Sequence, residues 1–322
     1  MRKYSKLLGV GAYVPEKVLS NHDLESMVDT SDEWIYTRTG IKKRHVAAED
    51  ETSSSMGLNA AKKALAKADV QADSIEMIIV ATCSPDMVFP SAACFLQQKL
   101  DLPGIPAFDV TAACSGFVYA LSVADQFIRS GQVKTVLVVG SEIISRALDW
   151  QDRSTCVLFG DGAGAMLLQA ADEPGIYDTV LHANGHHIDL LNLPGPYNNE
   201  VRKGEGDSYL QMQGREVFRH ATLELQKTVI ELLEKNNVSL TEIDWLVPHQ
   251  ANSRIITHMA KSLNFPLEKV IMTVDEHANT SSASVPLAFD AAVRAGKIKR
   301  GDTVIMEAFG GGLTWGGVLL KF

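Results

Sequence analysis

Apolar residues in this chain fall into two kinds of run. Short continuous runs at 6–13, 75–81, 107–110, 135–139, 165–168, 243–247, 303–307 and 314–321 read as strands. The run at 75–81 shows no polar alternation, which predicts a sheet covered on both faces. Between these runs the apolar positions recur every three or four residues. In 53–68, Met56, Ala60, Ala64 and Leu65 form one stripe with lysines between, the pattern of an amphipathic helix. Similar segments at 90–100, 115–130, 214–235, 252–263 and 284–295 predict further helices, and 20–28 and 31–40 shorter capped ones. Gly131 and Gly296 follow two of the helical segments, where a left-handed residue closes a helix. The stretch 172–209 is rich in Gly, Pro, Asn and His without a clear period, and reads as a linker with a capping excursion.

The pattern repeats. Arg129-Ser130-Gly131-Gln132-Val133-Lys134 is echoed by Arg294-Ala295-Gly296-Lys297-Ile298-Lys299, an offset of 294 − 129 = 165. Each copy leads into an apolar strand and then a Phe-Gly turn, at Phe159-Gly160 and Phe309-Gly310. Alternating strands and helices, duplicated, predict an α/β fold of two similar layered halves, residues 1–171 and 172–322, sharing a core. At the offset of 165, Cys114 falls on Asn279, so each half carries one polar residue where a strand turns into a helix.

Composition narrows the function. The 322 residues are 46% hydrophobic and 21% charged, with a net charge of −9 and no basic block, which argues against nucleic acid as a partner. Cys83, Cys94, Cys114 and Cys156 lack the spacing of a zinc site or disulfide framework and fit free thiols in a reducing compartment. The apolar run near the N-terminus is short for a signal peptide and no run reaches 18 residues, so a soluble, cytoplasmic protein away from membranes is expected. His182, His186 and His187 have no matching carboxylate motif, so no metal is expected, and Gly160–Gly164 lacks the spacing of a dinucleotide fingerprint.

The chemistry concentrates at three places. Cys114 follows the strand 107–110 and opens a helix. There the unpaired backbone N–H groups would stabilise a thiolate and lower the pKa, giving a nucleophile. His249 stands at the exit of the strand 243–247, and Asn279 in a small-residue turn before a helix. The glycines at 310–312 put pliable backbone at another strand end, where α/β proteins build sites. Taken singly, Cys114 could be a small buried hydrophobe, His249 a satisfied core histidine and Asn279 a helix cap.

In their order and spacing these motifs resemble the thiolase-like condensing enzymes, most closely the β-ketoacyl-acyl carrier protein synthase III family. The resemblance runs nearly end to end, through residues 9–15, Ser31-Asp32-Glu33-Trp34, Arg38-Thr39-Gly40-Ile41, residues 111–116, residues 159–164, the histidine motif and Gly311-Gly312-Leu313-Thr314-Trp315-Gly316. It implies a layered αβαβα core and a catalytic triad of Cys114, His249 and Asn279. Cys114 would take an acyl group from acyl-CoA, with acetyl-CoA as the expected primer. Malonyl-acyl carrier protein would then decarboxylate, and its enolate, held by His249 and Asn279, would attack the acyl-cysteine. The resemblance also implies an oxyanion hole of the Cys114 and Gly311 N–H groups, whose donors are worth about 3–4 kcal/mol each. Trp34, Arg38 and Arg153 match residues that hold the adenine and phosphate end of CoA, and Asn252 one near its pantetheine arm. Arg254 and Lys261 match a basic patch for the acidic carrier protein. Phe89 matches a residue that closes the acyl pocket across a homodimer interface. No bound cofactor is implied.

Relatives of the same fold fit less well. A degradative thiolase needs a second cysteine near the C-terminus, yet the last here is Cys156. Elongating synthases carry a histidine at the position of Asn279, and a 3-hydroxy-3-methylglutaryl-CoA synthase needs a catalytic glutamate that no motif here matches. A polyketide-type or specialised-pathway condensing enzyme with another primer remains the enzymatic alternative. A non-catalytic acyl-binding homologue is the alternative from another class.

Overall fold

The structure is a computed structural model that describes residues 4–203 and 208–322. Two sheets carry it. The first has five strands in the spatial order Tyr4–Tyr13, Gly162–Ala171, Thr135–Glu142, Met77–Ala81, Ala107–Val110. The second has four, in the order Ile176–Ala183, Thr314–Lys321, Thr303–Gly310, Trp245–Pro248. Met77–Ala81 runs parallel to both neighbours, and its five residues are all buried, as their unbroken apolar run requires.

The apolar stripes of the helices decide the layering. Helices Gly116–Arg129 and Ser284–Arg294 lie between the sheets, where Phe117, Leu121 and Phe289 pack with Val138 of one sheet and Met306 of the other. Helix Ser53–Ala68 covers the outer face of the first sheet through Met56, Ala60 and Leu65. Helices Gly214–Asn236 and Ser253–Ser262 cover the outer face of the second, through Leu225, Val229 and Met259. This is the expected α/β architecture of five layers, αβαβα. Gly131 and Gly296 both have positive φ, +78° and +69°, as their places after the central helices predict. Among the described residues no helix is long and apolar enough to cross a membrane.

The internal repeat is visible in three dimensions, with one adjustment. Across the central helices the offset of 165 holds: Asp125–Arg129 and Asp290–Arg294 are equivalent ion pairs, of 2.6 and 2.7 Å. The following strands begin at Thr135 and Thr303, an offset of 303 − 135 = 168, because the second connection is three residues longer. One reading is corrected. The stretch 172–209 contains Ile176–Ala183, an edge strand of the second sheet and the counterpart of Tyr4–Tyr13. Among the described residues it pairs only with Thr314–Lys321, and it buries few of its residues, so its apolar pattern is faint. Farther along that stretch, Ile188, Leu191 and Leu193 line a cavity beside Cys114.

Candidate active site

Cys114 and Asn279 occupy equivalent turns before the two central helices. Each follows an alanine held at positive φ, Ala113 at +46° and Ala278 at +56°. Such backbone is costly for a residue with a Cβ and marks turns fixed by their surroundings. The Asn279 turn is stitched to the first half: Asn279 N–H donates to Leu158 O (2.9 Å) and Gly160 N–H to Asn279 O (3.0 Å). The Cys114 turn is pressed against the end of the strand Thr303–Gly310. A Cβ added at Gly310 would stand 2.6 Å from the Cys114 nitrogen, so only glycine fits.

Two cavities meet at Cys114. One is lined by Trp34, Arg38, His249, Asn252, Asn279 and Phe309. The other is lined by Cys83, Ile144, Leu191, Leu210, Ser281 and Gly311 and is largely apolar. Cys114 lines both, as does Phe159.

The polar groups around the sulfur are held in fixed roles. Asn279 Oδ1 accepts the N–H of Ser281 (2.8 Å), which leaves its amide N–H₂ for the cavity. His249 is buried, with Nδ1 2.6 Å from Ser284 Oγ. That hydroxyl also accepts the N–H of Gln250 (3.2 Å), and the contact is satisfied by either ring tautomer: where the Ser284 proton turns to Nδ1, the ring proton sits on Nε2. Burial drives the pKa of His249 down to about 3, so the ring is neutral. With its proton on Nε2, the neutral His249 ring would join the Asn279 amide in offering N–H donors to the cavity.

The expectation of a lowered thiol pKa is overturned. Burial pushes Cys114 up to about 11, offset only in part by the Ser281 hydroxyl and its own backbone N–H, and Glu142 raises it further. The residue is 6% exposed and lies in a 3₁₀ turn, Ala113–Ser115, ahead of the α-helix rather than on its first turn. The stabilisation offered by a helix start is outweighed here by the loss of water.

The remaining candidates are spread around this centre. The Trp34 indole lies between two guanidinium groups, with Arg38 4.6 Å and Arg153 4.7 Å from the ring centroid. Arg153 is anchored through Asp29 O (2.7 Å). Asn252 caps the helix Ser253–Ser262, accepting from Arg254 N–H (2.8 Å), and donates to Arg38 O (3.0 Å). Arg254 and Lys261 are exposed on that helix, and Arg254 lies over Phe218, which lines the first cavity. Gly311 lines the second cavity beside Cys114. Phe89 is 77% exposed, flanked by exposed Met87 and Val88, and lines neither cavity of its own chain. Sequence reasoning missed Ser284, Ser281 and Glu142. Ser284 is the fifth residue after Asn279 on a helix start, which was the available hint; a carboxylate at the end of an apolar strand gave none.

Comparison with known proteins agrees with this geometry. Two family models match, 3-oxoacyl-[acyl-carrier-protein (ACP)] synthase III over residues 108–185 and the 3-oxoacyl-[acyl-carrier-protein (ACP)] synthase III C terminal over residues 233–322. The β-ketoacyl-[acyl-carrier-protein] synthase III of Methylococcus capsulatus is 56% identical over 322 residues, covering 100% of both chains. The crystal structure of 3-oxoacyl-[acyl-carrier-protein] synthase III from Aquifex aeolicus VF5 matches with a TM-score of 0.93 at 48% identity, over 99% of this chain and 100% of that one. The priming β-ketosynthase of the R1128 polyketide biosynthetic pathway matches with a TM-score of 0.94 at 37% identity, over 99% and 97%. With the repeat, the layered fold and full-length identity above one half, the chain belongs to the β-ketoacyl-[acyl-carrier-protein] synthase III family of condensing enzymes.

Proposed function

We propose that this protein performs a decarboxylative condensation of a short acyl-CoA, acetyl-CoA in the first instance, with malonyl-acyl carrier protein, initiating fatty acid synthesis. The observation that carries the reading is the meeting of two cavities at one buried thiol, with neutral N–H donors of His249 and Asn279 on one side. Cys114 attacks the acyl-CoA thioester and keeps the acyl group, and CoA leaves. The apolar cavity takes the acyl chain. The first cavity takes the pantetheine arm, of CoA and then of the carrier protein, past Asn252. The adenine and phosphate end of CoA rests against Trp34, Arg38 and Arg153.

Malonyl thioester entering the same cavity places its carbonyl oxygen at His249 Nε2 and the Asn279 amide. Decarboxylation builds negative charge on that oxygen, and two neutral donors stabilise it without offering a strong acid to quench the carbanion. The enolate carbon attacks the acyl-Cys114 carbonyl, whose oxyanion is held by the N–H groups of Cys114 and Gly311. No metal or resident cofactor takes part in this scheme.

Arg254 and Lys261 supply the local positive charge that an acidic enzyme needs to meet an acidic carrier protein. The exposed Met87-Val88-Phe89 tip fits a homodimer in which Phe89 enters the acyl cavity of a second copy. Four unpaired cysteines fit the cytoplasm. Identity of 56% to a β-ketoacyl-[acyl-carrier-protein] synthase III, against 37% to a polyketide priming synthase, favours this over the polyketide reading. The test is intact and peptide mass after incubation with acetyl-CoA. An acetyl adduct on Cys114 is expected; an adduct on Cys83, Cys94 or Cys156 instead, or none, rejects the reading.

A further inference from the structure

A buried thiol that must become a thiolate needs somewhere to send its proton. His249 is poorly suited, because its Nδ1 is occupied by Ser284 and burial opposes its taking a proton. A different group lies within reach. Glu142, fully buried at the end of the strand Thr135–Glu142, is surrounded by donors. Its carboxylate accepts from Ser84 Oγ (2.6 Å), Ser282 Oγ (2.8 Å), Cys83 N–H (3.1 Å), Cys83 Sγ (3.4 Å), Thr82 Oγ1 (3.3 Å) and Ser281 Oγ (3.2 Å). So many donors favour the carboxylate over the neutral acid, against the upward push that burial gives its pKa.

Ser281 connects this group to the reaction. Its hydroxyl donates to Glu142 Oε1 and is 3.9 Å from Cys83 Sγ, and Ser281 lines the same apolar cavity as Cys114, whose thiol pKa it lowers. Its backbone is held at φ +51°, an uncommon conformation for serine, and its N–H fixes Asn279 Oδ1. The repeat sharpens the point. At the strand offset of 168, Glu142 corresponds to Gly310, which must be glycine because it abuts Cys114. The scaffold thus tolerates no side chain at one of these strand ends, and at the other it carries an acid directed at the opposite turn.

We propose that Ser281 and Glu142 form the relay that deprotonates Cys114, with Ser281 passing the proton on and Glu142 acting through it as the final proton acceptor. The Cys114 S–H bond breaks as its proton passes to Ser281 Oγ, and the Ser281 proton passes to Glu142 Oε1. The sulfur keeps the electron pair and attacks the thioester carbon. The bond from that carbon to the CoA sulfur breaks, and the leaving thiolate recovers the proton along the same path. The acyl group changes sulfur, and no electrons are gained or lost. Burial raises the pKa of Glu142, which improves it as a base, and its titratable neighbours are the thiols of Cys83 and Cys114.

This inference rests on the acyl-cysteine reading above, and the experiment separates the two. Single-turnover CoA release from acetyl-CoA is measured for wild type, Ser281→Ala and Glu142→Gln, alongside the pH dependence of Cys114 alkylation by iodoacetamide. Both variants should acylate at least about a hundredfold more slowly, the usual contribution of a positioned general base. Their thiols should move in opposite directions. Glu142→Gln removes a negative charge and should lower the alkylation pKa, whereas Ser281→Ala removes a hydrogen bond to the thiolate and should raise it. Slower acylation from a more acidic thiol is a result that a purely structural role for Glu142 would not give. Ser281→Ala leaves five of the donors on Glu142 in place and decides the matter if Glu142→Gln does not fold. Acylation of Ser281→Ala within threefold of wild type overturns the relay. Failure of wild type to acylate Cys114 overturns the function on which it stands.

Discussion

The hydrogen bond from Ser284 to His249 makes a demanding prediction, because it sets which ring nitrogen faces the substrate. Ser284→Ala removes a 2.6 Å contact to a buried imidazole and takes the acceptor from Gln250 N–H. The buried groups left without partners should cost about 1–3 kcal/mol of stability. The larger effect is on chemistry. Without Ser284 the ring can carry its proton on Nδ1, and Nε2 then turns a lone pair toward an oxygen that is gaining negative charge. Complete loss of such a donor costs about 10²–10³ in rate. Because the variant loses orientation while keeping the imidazole, we expect malonyl decarboxylation to fall about tenfold to a hundredfold. Self-acylation should hold near the wild-type rate, since Ser284 lines neither of the cavities that meet at Cys114. The assays are carbon dioxide release from malonyl-acyl carrier protein and CoA release from acetyl-CoA, with a urea unfolding curve as control. Decarboxylation within twofold of wild type, or an equal fall in both half-reactions, would refute the reasoning.

Phe89→Ala should leave the urea midpoint nearly unchanged, since the ring is exposed, but shift acylation toward longer acyl-CoAs; a wild type that already prefers octanoyl-CoA to acetyl-CoA would contradict this. Charge reversal of Arg254 and Lys261 should raise KM for malonyl-acyl carrier protein and spare self-acylation, and the effect should shrink with salt, since screening acts over about 8–10 Å at physiological ionic strength. Equal loss of both half-reactions would show that these residues do something else. His249 and His277 have native pKa values lowered by burial to about 3 and about 4, from 6.5 when unfolded. The unfolded chain therefore binds protons that the native state excludes between those limits, and the stability these groups contribute falls as pH drops through that window. Each group adds a slope of about 1.4 kcal/mol per pH unit, so in His277→Gln the proton uptake on unfolding near pH 5 should drop by about one. An unchanged uptake would show that His277 is not buried as a neutral ring.

Much of this was legible in the sequence because it rests on local rules. Continuous apolar runs gave the buried strands, stripes gave the covering helices, and glycines at 131 and 296 closed the central pair where left-handed backbone was needed. The repeat placed Cys114 and Asn279 in equivalent turns before any contact was known. Interactions that join distant segments were not legible. Glu142 and Ser281 are 139 residues apart and meet only because one half's strand end faces the other half's helix start. Ile176–Ala183 escaped because an edge strand with one partner needs little apolar alternation. The acidity of Cys114 was misjudged for a related reason: the helix start is a local feature, while the burial that opposes it comes from both halves at once.

The seam between the halves has a consequence for how such a chain can evolve. The two halves share the order of four strands and a helix-opening turn, and the first adds a fifth strand, Ala107–Val110. The site lies on the boundary, with the proposed nucleophile on one half and the proposed donors on the other, and with the Asn279 turn bonded to Leu158 and Gly160 of the first half. From that point neither copy could be lost, swapped or expressed apart without dismantling the site. Residues on the two sides became joint property: a change at the end of the strand Thr135–Glu142 is felt at the turn of Ser281, and one at Gly310 is felt at Cys114. The ancestral symmetry survives in the backbone, where packing enforces it, and has been erased in the side chains, where the two copies now hold different halves of one task.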